Sequence, residues 1–135
     1  MAFVVETGAG LSNANSYASV SAADSYVADR GIAGWAALTE TVKQQSLVKA
    51  TDYLEATYRA SWKGNRVSET QALSWPRYNV VVDGFNYPSN VVPPQVVNAC
   101  IEMALRAAAG DTLLADQGQK VKREKIDVIE IEYQD

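Results

Sequence analysis

The strongest structural signal in this chain lies in residues 39–58, which read TETVKQQSLVKATDYLEATY. Thr39 can cap a helix that begins here, and Glu40 suits the positive end of the helix dipole. The stripe positions recur at helical spacing: Leu47, Ala50, Thr51, Leu54 and Tyr58. The polar positions are expected on the other faces: Lys43, Gln44, Asp52 and Glu55. This pattern predicts an amphipathic helix that ends at about Tyr58.

Two further helices are predicted, one on each side of this stretch. The first runs from Ala22 to Arg30, with Ser21 as its N-cap, and should end at Gly31. The other begins at Pro94, because proline suits the first position of a helix, and Gly110 should end it. The apolar stripe of this last helix comprises Val97, Ile101, Ala104, Leu105 and Ala108.

Shorter apolar segments flank the helices. Phe3–Val5 is predicted to be a short strand, followed by a small, polar loop over residues 7–16. Ile32–Leu38 is predicted to be a helical or turn segment that Trp35 anchors. Leu113 and Leu114 should fold back on the core.

The middle of the chain, residues 61–93, is predicted to be rich in loops. Gln71–Trp75 can form one helical turn, which Pro76 would close. Val80–Val82 precede an Asp-Gly pair at residues 83–84, and apolar residues follow it. An Asp-Gly pair between apolar runs is typical of a β-hairpin, so a small ribbon is expected here.

The C-terminus has a different character. Residues 120–125 are mainly basic, and Ile126–Tyr133 then alternate between apolar and acidic side chains, as in a strand. We therefore expect a helical body over residues 1–119, with an insertion at about 61–93, and a charged linker with a docking strand over 120–135. The fold class is mainly α: a bundle of about three helices with a possible β-hairpin and an extended C-terminal strand.

Composition excludes several classes of function. The chain has 135 residues, twelve basic and sixteen acidic, with a net charge of −4 and a single cysteine. This charge does not favour a nucleic-acid binder, and one cysteine cannot form an internal disulfide. No apolar stretch is long enough to span a membrane. With no histidine, catalytic triads and the usual zinc sites are excluded, so we expect no enzyme, metal or cofactor.

Three weak site signals have simpler structural explanations. Gly8 and Gly10 form part of a dinucleotide-binding fingerprint, but the third glycine and the following helix are missing. Carboxylate pairs such as Asp24 with Asp29 could support glycosidase chemistry, yet on helices such pairs usually form a solvated face. Cys100 lies near the apolar stripe of the last helix, which favours a buried, inert thiol over a nucleophile.

One cluster of aromatic and basic residues leaves two alternatives open. The aromatic members are Trp62, Trp75, Tyr78, Phe85 and Tyr87, and the basic members are Lys63, Arg66 and Arg77. Interleaved in this way, they could stack the bases of single-stranded DNA. They could equally form a local core or contact a neighbouring subunit, and the negative net charge favours this second interpretation.

Several segments taken together resemble one family of tailed-phage virion proteins. They are VETG at 5–8, NSY at 15–17, ATDYL at 50–54, WKG at 62–64, QALSWPR at 71–77, VPPQV at 92–96, KREK at 122–125 and EY at 132–133. The QALSWPR segment is the most specific of these. The chain resembles the small head-to-tail adaptor, or head-completion, family, some members of which carry the label "DnaT-like single-stranded DNA-binding protein".

The resemblance implies a structural role in the virion neck, assembled in the host cytoplasm. It implies a homo-oligomeric ring, commonly of twelve subunits, between the portal protein and a tail terminator or other neck protein. Genomic double-stranded DNA would pass through without specific binding, and no membrane would be involved. The alternative is a single-stranded DNA-binding replication protein. The expected partner contacts are Trp62, Trp75, Pro76, Arg77, Phe85, Tyr87, Ile126, Val128, Ile129, Ile131 and Tyr133.

Overall fold

The computed structural model describes residues 2–113 and contains three helices with two small antiparallel ribbons between the second and the third. The helices are α1 (Val20–Arg30), α2 (Glu40–Tyr58) and α3 (Pro94–Ala108). The strands are β1 (Asn65–Arg66), β2 (Arg77–Tyr78), β3 (Val81–Val82) and β4 (Phe85–Asn86). These elements confirm the prediction of a mainly helical fold with a small β-ribbon. The predicted linker and C-terminal strand lie outside the described residues.

Helix α2 presents the predicted stripe to the core. All five of its members are buried: Leu47, Ala50, Thr51, Leu54 and Tyr58. This face packs mainly against α3, where the Thr51 hydroxyl lies 3.3 Å from the Cys100 sulfur and donates to the Leu47 carbonyl at 3.0 Å. Cys100 is fully buried, and this burial raises the pKa of its thiol, as expected for an inert cysteine.

Helix α3 begins at Pro94 as predicted, but its buried face is broader than the predicted stripe. Ile101 and Ala104 are buried as expected, whereas Val97, Leu105 and Ala108 are only partly buried. The face also includes residues that the prediction omitted: Val96, Cys100 and Met103. The helix ends at Ala108, with Gly110 in a left-handed conformation just beyond it, and Leu113 packs on the core.

The N-terminus of α1 differs from the prediction. The cap is Ser19, in extended conformation, whose hydroxyl accepts a hydrogen bond from the Ala22 amide at 3.0 Å. The Ser21 prediction was wrong because Ser21 already lies in the first turn of the helix. The C-terminus is as predicted, since Gly31 adopts the left-handed conformation with φ of 63°.

The N-terminal strand prediction was also wrong. Phe3–Val5 form no ladder, and only one isolated parallel bridge joins Val5 to Ser16 in the described chain. The Glu6 amide donates to the Ser16 carbonyl at 2.8 Å, and the Asn15 amide donates to the Val4 carbonyl at 2.8 Å. These bonds join residues 4–6 to residues 15–16 without forming a longer strand.

The middle segment contains one predicted ribbon and one that sequence analysis missed. β3 and β4 form the predicted hairpin, with Asp83 and Gly84 at positive φ as a tight two-residue turn requires. β1 pairs with β2, and the intervening loop has no local turn signal that would predict the pairing. Gln71–Trp75 form bends instead of the expected helical turn.

Aromatic rings join the middle segment to the end of α2. Trp62 packs edge-on against Tyr58 at 6.2 Å and against Trp75 at 5.7 Å between ring centroids. Trp75 is fully buried and Trp62 is 7% exposed. Such edge-to-face pairs add to the free energy of burial, so these rings fix the loop-rich middle to the helices.

A lysine of α2 that was predicted to lie off the apolar stripe is held against α1. Lys43 is buried, and its Nζ lies 3.0 Å from the Asp24 carboxylate, which also accepts a bond from the Trp35 indole at 2.8 Å. Desolvation raises the pKa of Asp24, but the hydrogen bonds from Lys43 and Trp35 and the Lys43 charge outweigh it. The net result is a pKa below the usual range, so Asp24 is more than part of a solvated face.

Replacing Trp75 with alanine should lower the free energy of unfolding by about 3–5 kcal/mol, because a fully buried indole leaves a large cavity. Chemical denaturation measures this loss. Trp75→Phe should cost less, since it keeps a ring and removes an indole N–H that has no partner among the described residues. Tyr78→Ala is the matched control, because Tyr78 is 45% exposed. Equal losses for Trp75→Ala and Tyr78→Ala would contradict the packing described.

Acidification should weaken the contact between α1 and α2. Because the folded-state pKa of Asp24 is lowered, its contribution to stability is present above the unfolded value of about 3.9 and is lost as pH falls through the folded value. Melting temperatures measured from pH 6 to pH 2 should fall less steeply for Asp24→Asn than for the unmodified chain. Asp29→Asn is the control. The same pH profile for all three chains would refute the ion pair.

Candidate interaction surface

The segment at residues 71–77 is organised by one buried amide side chain. Gln71 donates from Nε2 to the carbonyls of Leu73 at 2.9 Å and Pro76 at 3.0 Å, and its Oε1 accepts from the Ser68 amide at 2.8 Å. These bonds satisfy backbone polar groups of a loop that has little regular backbone pairing of its own. Gln71 therefore shapes the loop that carries Trp75 and Pro76 into the interior.

The arginine of this segment is engaged within the fold. The guanidinium of Arg77 donates to the backbone carbonyls of Lys63 at 2.7 Å, Gly64 at 2.8 Å and Ser74 at 3.1 Å. Desolvation lowers the pKa of Arg77, which fits its half-buried position. Four of the predicted contact residues thus lie together: Trp62, Trp75, Pro76 and Arg77. Their rings and the Arg77 guanidinium are engaged in packing and hydrogen bonds within the subunit.

A glutamate that was expected on a polar face of α2 bonds to two distant segments. Glu55 accepts from the Tyr17 hydroxyl at 2.5 Å, and from the Ser74 amide at 3.1 Å and hydroxyl at 2.8 Å. The Tyr17 oxygen in turn accepts from the Trp75 amide at 3.2 Å. Desolvation, reinforced by the Glu55 charge, raises the pKa of Tyr17 well above its usual value. Sequence analysis missed this contact because its partners are far apart in the chain.

The N-terminal glycine loop is folded around a carboxylate. Glu6, which is only 2% exposed, accepts from the amides of Gly8 at 2.8 Å, Gly10 at 2.9 Å and Leu11 at 2.8 Å. At Gly8 any side chain would meet the Asn90 carbonyl oxygen, 2.1 Å from an added Cβ atom. The amides that a nucleotide phosphate would need are thus taken by Glu6, which explains the glycines without a nucleotide site.

Four exposed apolar side chains of the middle segment lie on its two ribbons or directly after β1. Phe85 is 76% exposed on β4, Val81 is 49% exposed on β3, and Tyr78 and Val67 are each 45% exposed. Phe85 follows the tight turn at Asp83 and Gly84, and it pairs with Val82 across the hairpin. We define Val67, Tyr78, Val81 and Phe85 as the ribbon patch.

The remaining predicted contact residues have different positions. Tyr87 is partly buried against the core, and desolvation raises its pKa. The five predicted C-terminal contacts lie outside the described residues: Ile126, Val128, Ile129, Ile131 and Tyr133. Of the basic members of the aromatic cluster, Arg66 donates to the Gln71 carbonyl at 3.2 Å, and Arg77 is engaged as described.

Two concavities accompany these surfaces. The larger, of about 320 Å³, is lined by Lys49, Asp52, Ala107, Gly110, Asp111, Thr112 and Leu113. Desolvation raises the pKa of Asp52 there. The second concavity, of about 250 Å³, lies between the α1–α2 connection and the end of α3.

Within residues 2–113, no group of three or more potential metal ligands occurs, and no helix combines the length and apolar composition of a membrane span.

Comparison with known proteins identifies a family to which the chain is similar. Residues 1–135 match the model of the family described as "Putative DnaT-like ssDNA binding protein". No curated protein and no solved structure gives a significant match. The family description names a binding activity and no catalytic one. Because the match covers the entire sequence, the chain belongs to this DnaT-like family.

Proposed function

We propose that this chain is a non-catalytic structural subunit that assembles into a homo-oligomeric ring, the head-to-tail adaptor of a tailed-phage neck. The observation that carries this proposal is the ribbon patch, in which Phe85 exposes 76% of its surface next to a tight turn. An aromatic side chain this exposed is costly for an isolated subunit but suits burial at a subunit interface.

The internal use of the other aromatic residues supports the same proposal. Trp62 and Trp75 are buried, and the Arg77 guanidinium is bonded to backbone carbonyls, so these groups are not presented to bases. The net charge of −4 fits a conduit through which DNA slides without being held. The resemblance of segments such as residues 71–77 to phage adaptor proteins supports the proposal of a role in the neck.

A second function, single-stranded DNA binding in replication, is supported by the family description. The exposed rings of Tyr78 and Phe85 offer two stacking platforms, and Arg66 lies in the strand paired with β2. Stacking on exposed aromatic side chains contributes about 1–3 kcal/mol per base. The two functions differ in what the ribbon patch contacts: a protein surface in the first and nucleobases in the second.

The adaptor proposal predicts that Phe85→Ser disrupts assembly without unfolding the subunit. We expect self-association, and binding to the portal protein of the same particle, to weaken by at least about 30-fold, as for a central interface residue. Mass photometry across a concentration series measures this change. Val42→Ser is the control, because Val42 is an exposed apolar residue outside the ribbon patch. A chain that stays monomeric at all concentrations, with or without the portal protein, would argue against the adaptor.

The same proposal predicts weak binding of single-stranded DNA at physiological salt. An acidic chain has few cations with which to release counterions, so the affinity should be weaker than about micromolar and the salt slope shallow. Fluorescence anisotropy with a labelled oligonucleotide at several salt concentrations tests this. A sub-micromolar affinity that Phe85→Ser and Tyr78→Ser both reduce would favour the replication function instead.

A further inference from the structure

The smaller concavity is an apolar groove that shares no lining residue with the ribbon patch. Ile32, Trp35 and Leu38 of the α1–α2 connection line one side, and Leu105, Ala108 and Ala109 of the last turn of α3 line the other. Its volume of about 250 Å³ is below the range of about 300–1,000 Å³ typical of small-molecule sites. The groove therefore suits a few apolar side chains from a peptide segment.

Residues 126–133 of the chain have the pattern that such a groove requires. Ile129, Ile131 and Tyr133 alternate with Glu130 and Glu132. In an extended segment, alternate side chains lie on one face at intervals of about 6.6 Å. The segment would thus place Ile129, Ile131 and Tyr133 in the groove and leave Glu130 and Glu132 at the rim.

Charge favours this segment as the occupant. Residues 126–135 contain four acidic side chains and no basic one: Asp127, Glu130, Glu132 and Asp135. Arg30 immediately precedes the α1–α2 connection and stacks on the Tyr26 ring, and the exposed Arg106 follows Leu105. Of the acidic side chains nearby in sequence, Asp24 is bonded to Lys43 and Trp35, and Glu102 to Tyr26, whereas Asp29 and Asp111 are exposed. The two arginines would complement the acidic side chains of the segment.

The length of chain beyond the described residues is sufficient for an exchange between subunits. The described chain ends at Leu113, and twelve residues, 114–125, separate it from the segment. Fully extended, this linker spans about 40 Å. A globular body of this size has a radius of gyration of about 13 Å. The segment can therefore leave its own subunit and reach the groove of the adjacent one.

We propose that the groove receives residues 126–133 of a second copy of the chain. This inference rests on the proposed ring, because neighbouring subunits must lie side by side for the exchange. Each subunit would give one segment and accept one, which is a heterologous contact of the kind that closes rings. One contact is small, but repetition around the ring would strengthen it through effective concentration.

Disulfide trapping between two full-length variants tests the proposal. Ala109→Cys places a thiol at the groove, and Ile131→Cys places one on the apolar face of the segment. When the two variants are mixed under mild oxidation, we expect a heterodimer at a yield about tenfold or more above that of controls, given the high local concentration in an assembly. Ala56→Cys, exposed on α2, replaces the groove variant in one control, and Glu132→Cys replaces the segment variant in the other.

The outcomes distinguish a failure of this docking proposal from a failure of the proposed ring assembly. Ring-sized particles without the heterodimer would overturn the groove as the docking site and leave the adaptor proposal standing. A cross-link formed only within one chain of an A109C/I131C double variant would overturn exchange between copies. Monomers without the heterodimer would overturn both proposals. In addition, Ala109→Glu should weaken assembly by placing a carboxylate against the acidic segment, whereas Ala56→Glu should not; equal effects would count against the groove.

Discussion

The carboxylate of Glu55 is the point on which the arrangement of this small protein depends. It projects from α2 and accepts hydrogen bonds from Tyr17 in the N-terminal region and from Ser74 in the middle segment. Hydrogen bonds to charged groups contribute about 1.5–3 kcal/mol each, more than neutral ones. Because residues 61–93 contain only two-residue strands, their position relative to the helices depends on such bonds and on the rings of Trp62 and Trp75.

What could be predicted from the sequence was local in origin. The stripe of α2, the proline at the start of α3 and the Asp-Gly turn each depend on neighbours within about four residues. Their patterns can therefore be recognised in the amino-acid sequence. The Ser19 cap was missed because Ser19 and Ser21 both satisfy the residue preference, and only backbone conformation distinguishes them.

The missed features depend on contacts between distant residues. Lys43 with Asp24, and Glu55 with Tyr17, join positions 19 and 38 residues apart, and a polar residue on a helix carries no sign of such a partner. The hydrogen-bond partners of Arg77 are even harder to predict from the sequence, because its acceptors are backbone carbonyls, which every residue possesses. For the candidate site, the sequence could therefore group the aromatic and basic residues, but burial alone separates Trp75, which stabilises the core, from Phe85, which faces solvent.

Because Cys100 is buried in the core, its reaction with a thiol reagent can report opening of the core. The only thiol of the protein is fully buried between α2 and α3, and burial holds it in the unreactive protonated form. A thiol reagent can reach it only when the packing around it opens, so its modification rate measures how often this part of the core opens. That rate can be read without introducing any label, which gives a direct measure of core dynamics in the unmodified protein.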